Sequence, residues 1–69
     1  MTKRIVILGS GESGTGAAIL AKRKGFDVFV SDKGVIKNVY KDKLLAENIE
    51  FEEGTHTYEK IFAAANIFS

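Results

Sequence analysis

The feature that most constrains this chain is an unbroken apolar run, Arg4-Ile-Val-Ile-Leu8, that passes without a spacer into Gly9-Ser10-Gly11-Glu12-Ser13-Gly14. A β-branched run with no polar alternation suits a strand buried on both faces, the situation in parallel sheets covered by helices. The glycines end the strand. From Thr15 to Lys24 the small and aliphatic residues Ala17, Ala18, Leu20 and Ala21 recur at helical spacing before Gly25, a residue type that commonly stops a helix. Asp27 to Ser31 is a second β-branched and aromatic run, closed by Asp32. Strand, glycine loop, helix and strand within about 30 residues form a βαβ unit.

The alternation continues downstream. Val39 to Asn48 places Tyr40, Leu44 and Leu45 on a helical stripe, and Ile49 to Glu53 is a short strand candidate with Ile49 and Phe51 alternating against acids. Gly54-Thr55-His56-Thr57 makes a turn. Tyr58 to Ala65 resumes helical spacing through Ile61 and Phe62, with Thr57 as N-cap and Glu59 in the first turn, and Asn66 to Ser69 opens a fourth strand. The expected fold class is α/β: a Rossmann-like parallel sheet of about four strands, β-α-β-α-β-α-β, with helices on both faces. One domain covers residues 1–69 and resembles half of, or a truncated, nucleotide-binding domain. A domain near 60 residues buries only about 60% of the surface its unfolded chain exposes, so further packing partners are expected.

Composition removes several function classes. Without cysteine there is no disulfide and no thiolate zinc site, and a single histidine, His56, cannot build a histidine cluster, so no metal site is expected. A 45% hydrophobic content with a net charge of +1 excludes a disordered chain. No run approaches the roughly 20 apolar residues of a membrane span. The Met-Thr-Lys-Arg start leaves no room for a secretory signal's apolar region, so a cytoplasmic location without a membrane partner is expected. The small net charge hides polarity: residues 1–43 hold nine Lys and Arg against four acids, whereas residues 44–69 hold one against five. Lys22, Arg23, Lys24, Lys33, Lys37, Lys41 and Lys43 are not interleaved with aromatics, which favours solvated helix faces over a nucleic-acid surface.

The chemistry concentrates in the first loop. Gly9 to Gly14 matches G-x-G-x-x-G after a strand and before a helix, and Asp32 closes the second strand 18 residues later. Gly9 permits the turn, Gly11 lets a phosphate approach the backbone, and Gly14 allows the helix to pack on the sheet. Unpaired amides and the helix dipole then suit a diphosphate, with Ser10 and Ser13 adding hydroxyl donors. Glu12 is an awkward neighbour for an anion unless it points to solvent, a basic group or a ligand hydroxyl. The Asp32 carboxylate can accept bonds from ribose hydroxyls or a base N–H, and it disfavours a 2′-phosphate. The competing structural readings are that the glycines only shape the turn, that Asp32 only caps the next segment, and that His56 is a turn residue. No phosphate loop of the G-x-x-x-x-G-K type, metal-spaced carboxylate pair or base-activated nucleophile occurs, so no catalytic residue is expected here.

Together, Arg4 to Gly14, Gly25 to Asp32 and Glu52-Glu-Gly-Thr-His56 resemble the N-terminal domain of the MurD branch of the Mur ligase family, over nearly the whole chain. That resemblance implies a cytoplasmic peptidoglycan-synthesis ligase of three domains, using ATP and Mg to activate the carboxylate of UDP-N-acetylmuramoyl-L-alanine for attack by D-glutamate. Its first domain holds the UDP part, while the ATP and metal sites lie in the remaining domains, so this chain alone is expected to be catalytically silent. By position, Glu12 and Ser13 fall beside the diphosphate, and Asp32, Lys33 and Gly34 fall in the uracil-contacting segment. Family members often carry Thr and Arg where this chain has Lys33 and Gly34, and the family's later Ser-Pro-Gly segment does not occur within the sequence. The alternatives from the residues alone are an NAD-binding module of an oxidoreductase or regulatory protein, and a scaffold that keeps the fold without a ligand.

Overall fold

The computed structural model describes residues 3–62 and 66–68. The elements are β1 (Arg4–Leu8), α1 (Glu12–Arg23), β2 (Asp27–Asp32), α2 (Asn38–Ala46), β3 (Glu50–Glu53), α3 (Tyr58–Phe62) and β4 (Asn66–Phe68). All strand pairs are parallel, in the order β3-β2-β1-β4. The chain therefore steps outward from β1 to β3 and then crosses back to the far side of β1. The reversal at β1 and β4 is the switch point outside which open α/β sheets bind ligands. The expected continuation of the third helix over 63–65 and Ser69 lie outside the described residues.

Alternate side chains of the central strands leave the sheet on opposite faces. Ile5 and Ile7 of β1 and Val28 and Val30 of β2 meet Ala18 of α1, Leu44 of α2 and Ile49 in one cluster. Val6 and Phe29 meet Ile61 of α3 on the other face, with Leu8 partly buried beside them. Helices on both faces explain why Arg4 to Leu8 shows no polar alternation. The helical stripes are narrower than their sequence suggests. Leu20 and Leu45 are 58% and 61% exposed, because α1 turns Thr15 and Ala18 inward and α2 turns only Leu44 fully inward.

Helix ends follow backbone chemistry. In α1, Gly25 N–H donates to Lys22 O and Phe26 N–H to Ala21 O, at 3.0 and 3.1 Å, with Gly25 at φ 94°. This is the Schellman pattern. In α2, Asn48 N–H bonds Leu45 O and Ile49 N–H bonds Leu44 O, with Asn48 at φ 56°. That reversal ends α2 two residues before the expected Asn48 and sets Ile49 into the core rather than into β3. Conversely, α1 starts three residues before the expected Thr15, so Glu12, Ser13 and Gly14 form its first turn.

The two charge-polarised halves meet in the fold. Arg4 pairs with Asp27 at 2.9 Å and Glu50 at 3.4 Å, Arg23 with Glu47 at 2.9 Å, and Lys41 with Glu53. Such surface pairs contribute little each, but Arg4–Glu50, Arg23–Glu47 and Lys41–Glu53 place part of the basic half against the acidic half.

The left-handed backbone at Asn48 generates a stability test. Asn48→Gly is expected to raise the urea midpoint slightly, whereas Asn48→Val should cost about 1–2 kcal/mol, because a β-branched residue is disfavoured at positive φ. Equal midpoints for the two variants would show that the turn does not hold this conformation.

Candidate functional site

At the C-terminal edge of the sheet, β1, β2 and β3 each run into a loop, and hydrogen bonds join the three. Gly9 leaves β1 at φ 98°, and its N–H donates to Ser31 O at 2.8 Å. A Cβ on Gly14 would lie 2.1 Å from Gly9 O, so only glycine lets α1 start this close to the strand exit. Above Gly11 no atom lies within 4 Å of where a Cβ would stand, so the backbone faces open space. Gly11 is the N-cap and offers no side-chain acceptor; the first helical bond runs from Thr15 N–H to Gly11 O at 2.9 Å. The amides of Glu12, Ser13 and Gly14 precede that bond, where a helix has donors without internal acceptors and a partial positive charge.

Ser10 behaves differently from the expected hydroxyl donor. It is 4% exposed, and its Oγ lies 3.0 Å from Thr15 Oγ1. Its contribution at the rim is its amide, which donates to Asp32 Oδ2 at 2.8 Å, while Gly34 N–H donates to Oδ1 at 2.9 Å. One carboxylate thus ties the glycine loop to the loop after β2. The amide of Ser10, then that of Gly34, holds the Asp32 carboxyl below its ordinary value; partial burial opposes this, and His56 adds to it. Glu12, Ser13, Lys33 and Gly34 are exposed around this bridge, and Glu12 makes no ion pair among the described residues.

The third loop closes the rim. Gly54 N–H donates to Gly34 O at 2.9 Å and Thr55 N–H to Asp32 O at 3.3 Å. Beneath it, Ser31 is fully buried, with its Oγ 2.7 Å from Glu52 Oε2 and 2.6 Å from His56 Nδ1. Burial pushes the Glu52 carboxyl up, but bonds from the Thr57 amide, the Thr57 hydroxyl and Ser31 outweigh it and leave Glu52 below its ordinary value. The Thr57 hydroxyl is therefore spent on Glu52 Oε1 at 2.5 Å rather than capping α3. His56, expected as a plain turn residue, is instead fixed to a side chain 25 positions away. Its signal lay in the parallel register that places Ser31 opposite Glu52.

From the Gly11 to Gly14 mouth a groove of about 780 Å³ runs between α1 and β1, where Ile5, Ile7, Ala17, Leu20 and Phe26 make it mainly apolar. Among the described residues no three carboxylate, imidazole or thiol groups converge as metal donors, and no helix is long and apolar enough to cross a membrane.

Two measurements follow from this geometry. Gly14→Ala should destabilise the chain by about 1–3 kcal/mol or more through overpacking, whereas Gly16→Ala, with no atom near its Cβ, should stabilise it by about 0.5–1 kcal/mol; urea unfolding of both variants checks the contrast. Because the folded carboxyl of Asp32 titrates below its ordinary value of 3.8, and that of Glu52 below 4.5, their contributions are complete above those values. They are lost as pH falls through the lower folded values. Urea midpoints should therefore drop below about pH 4.5, and Asp32→Asn should flatten the most acidic part of that loss.

The MurD N-terminal domain family matches residues 4–68. The chain is 58% identical over 65 residues to the UDP-N-acetylmuramoylalanine--D-glutamate ligase of Bacteroides fragilis, covering 94% of this chain and 15% of that protein. It is 61% identical over 64 residues to the ligase of the same name from Christiangramia forsetii, covering 93% and 14%. The corresponding ligase of Bacteroides thetaiotaomicron is 60% identical over 65 residues, with 94% and 15% covered. The chain thus spans about 15% of the length of the curated relatives it matches. A family match across the βαβ frame, the glycine loop and the three-loop rim leads to one conclusion: this chain belongs to the MurD N-terminal domain family.

Proposed function

We propose that this chain is the UDP-holding part of a ligase that adds D-glutamate to UDP-N-acetylmuramoyl-L-alanine in peptidoglycan synthesis. The observation that carries the reading is the pairing of the open backbone over Gly11 at the start of α1 with the Asp32 carboxylate anchored beside it. The diphosphate would take the amides of Glu12, Ser13 and Gly14, where the helix dipole favours an anion. Asp32, still able to accept further bonds, would take the nucleoside end with the backbone of Lys33 and Gly34. Exposed Glu12 has room to turn its charge toward solvent, which answers its awkward position.

In this division of labour the chain binds and orients. The relatives are several times longer, and the ATP and Mg that turn the substrate carboxylate into an acyl phosphate would be held by their other domains, with which this one would pack. The work is expected in the cytoplasm, where the nucleotide-linked substrate is built. Neither nucleic acid nor a membrane is a partner in this reading.

A titration of the isotopically labelled 69-residue chain followed by NMR tests it. UDP and UDP-N-acetylmuramoyl-L-alanine should shift the amides of Gly11 to Gly14 and Asp32 to Gly34, and more strongly than NAD does. Unmoved amides at saturating UDP would overturn the reading, and a preference for NAD would favour the dinucleotide module.

A further inference from the structure

The buried Ser31 hydroxyl has one hydrogen and three neighbours: Glu52 Oε2 at 2.7 Å, His56 Nδ1 at 2.6 Å and Thr55 O at 3.3 Å. A carboxylate and a carbonyl can only accept. Glu52 already accepts from the Thr57 amide at 2.7 Å and from the Thr57 hydroxyl, the pattern of an ionised acceptor. The one Ser31 hydrogen therefore belongs on the nearer of the two acceptor oxygens, Glu52 Oε2. Were it pointed at Nδ1 instead, two oxygens would face each other at 2.7 Å with no proton between them. So Nδ1 is the donor in its bond to Ser31 Oγ.

A neutral imidazole protonated on Nδ1 has its lone pair on Nε2. That atom makes no hydrogen bond within the described residues and is not among their buried unpartnered atoms, so it reaches solvent. Its location is the rim itself. The neighbouring Gly54 and Thr55 amides bond the Gly34 and Asp32 carbonyls, and His56 is close enough to act on the Asp32 charge. A half-buried ring clamped at one nitrogen loses little freedom when the other makes a bond, which is the general advantage of preorganisation.

We infer that His56 is a second nucleoside-contacting residue, held by Ser31 and Glu52 so that Nε2 accepts a hydrogen bond from an N–H or O–H of the nucleotide's nucleoside half. This rests on the nucleotide-binding reading above. Asp32 and His56 would then offer two acceptors to a nucleoside, and the diphosphate would remain with the α1 amides.

The test uses the 69-residue chain and two probes, UDP and inorganic pyrophosphate. Long-range nitrogen–proton correlation of the His56 ring should show the Nδ1–H tautomer when the ring is neutral; a majority of Nε2–H would overturn the inference. His56→Ala should weaken UDP about three- to tenfold, the range of one net hydrogen bond, and leave pyrophosphate affinity unchanged. Ser31→Ala, a small change on a central strand, should release the tautomer and weaken UDP similarly while the amide spectrum stays dispersed. If the wild-type chain binds UDP and both variants bind it equally well, His56 makes no contact and this inference alone fails. If His56→Ala weakens both probes alike, the residue only supports the loops, which also overturns it. If the wild-type chain binds neither probe, the nucleotide reading falls and takes this contact with it.

Discussion

The structure at the sheet's C-terminal edge depends on one carboxylate. Asp32 receives the Ser10 amide on one oxygen and the Gly34 amide on the other, and it stands at the end of β2, joining these two loops. A charged acceptor strengthens both bonds relative to neutral ones. The same carboxylate that the motif reserves for a ligand is thus already a structural part of the site. The two roles are compatible because each oxygen has a second lone pair, and the amides fix where those lone pairs are. The result is a carboxylate held in place by the protein's own amides.

The glycines divide along the same line between making the site and leaving it open. Gly14 is required by contact, since any side chain would run into the Gly9 carbonyl, whereas Gly11 faces open space. Close approach of α1 to β1 brings the positive end of the helix to the rim, and the space over Gly11 leaves that end reachable. Ser10 faces inward to Thr15 and holds the loop from below. The apolar groove that continues along α1 past Leu20 shows that the packing of this small core is incomplete on that side, as expected of a short α/β domain.

Local chemistry was legible from the residues; long-range chemistry was not. The strand, glycine loop, helix and terminal acid could be placed because each follows from neighbouring residues and from period. Gly14 looks like loop until its packing on the Gly9 carbonyl is known, so the sequence places the start of α1 at Thr15 rather than at Glu12. A helical stripe that includes Leu20 or Leu45 does not reveal how wide the helix contact is, and both residues lie mainly exposed. The inward turn of Ser10, the diversion of Thr57 to Glu52 and the fixing of His56 by Ser31 all need the register between β2 and β3 or the fold of the first loop. The charge asymmetry was seen in the sequence, but its partial resolution into Arg4–Glu50, Arg23–Glu47 and Lys41–Glu53 pairs appears only when the halves are brought together.

Amide hydrogen exchange, resolved residue by residue, addresses the claim that the rim is built in advance around open donors. Without ligand, the Ser10 and Gly34 amides should be protected by Asp32, while those of Glu12, Ser13 and Gly14 exchange freely and become protected only when UDP is added. Free exchange at Ser10 and Gly34, or protection of the three helix-start amides before any nucleotide is present, would contradict it.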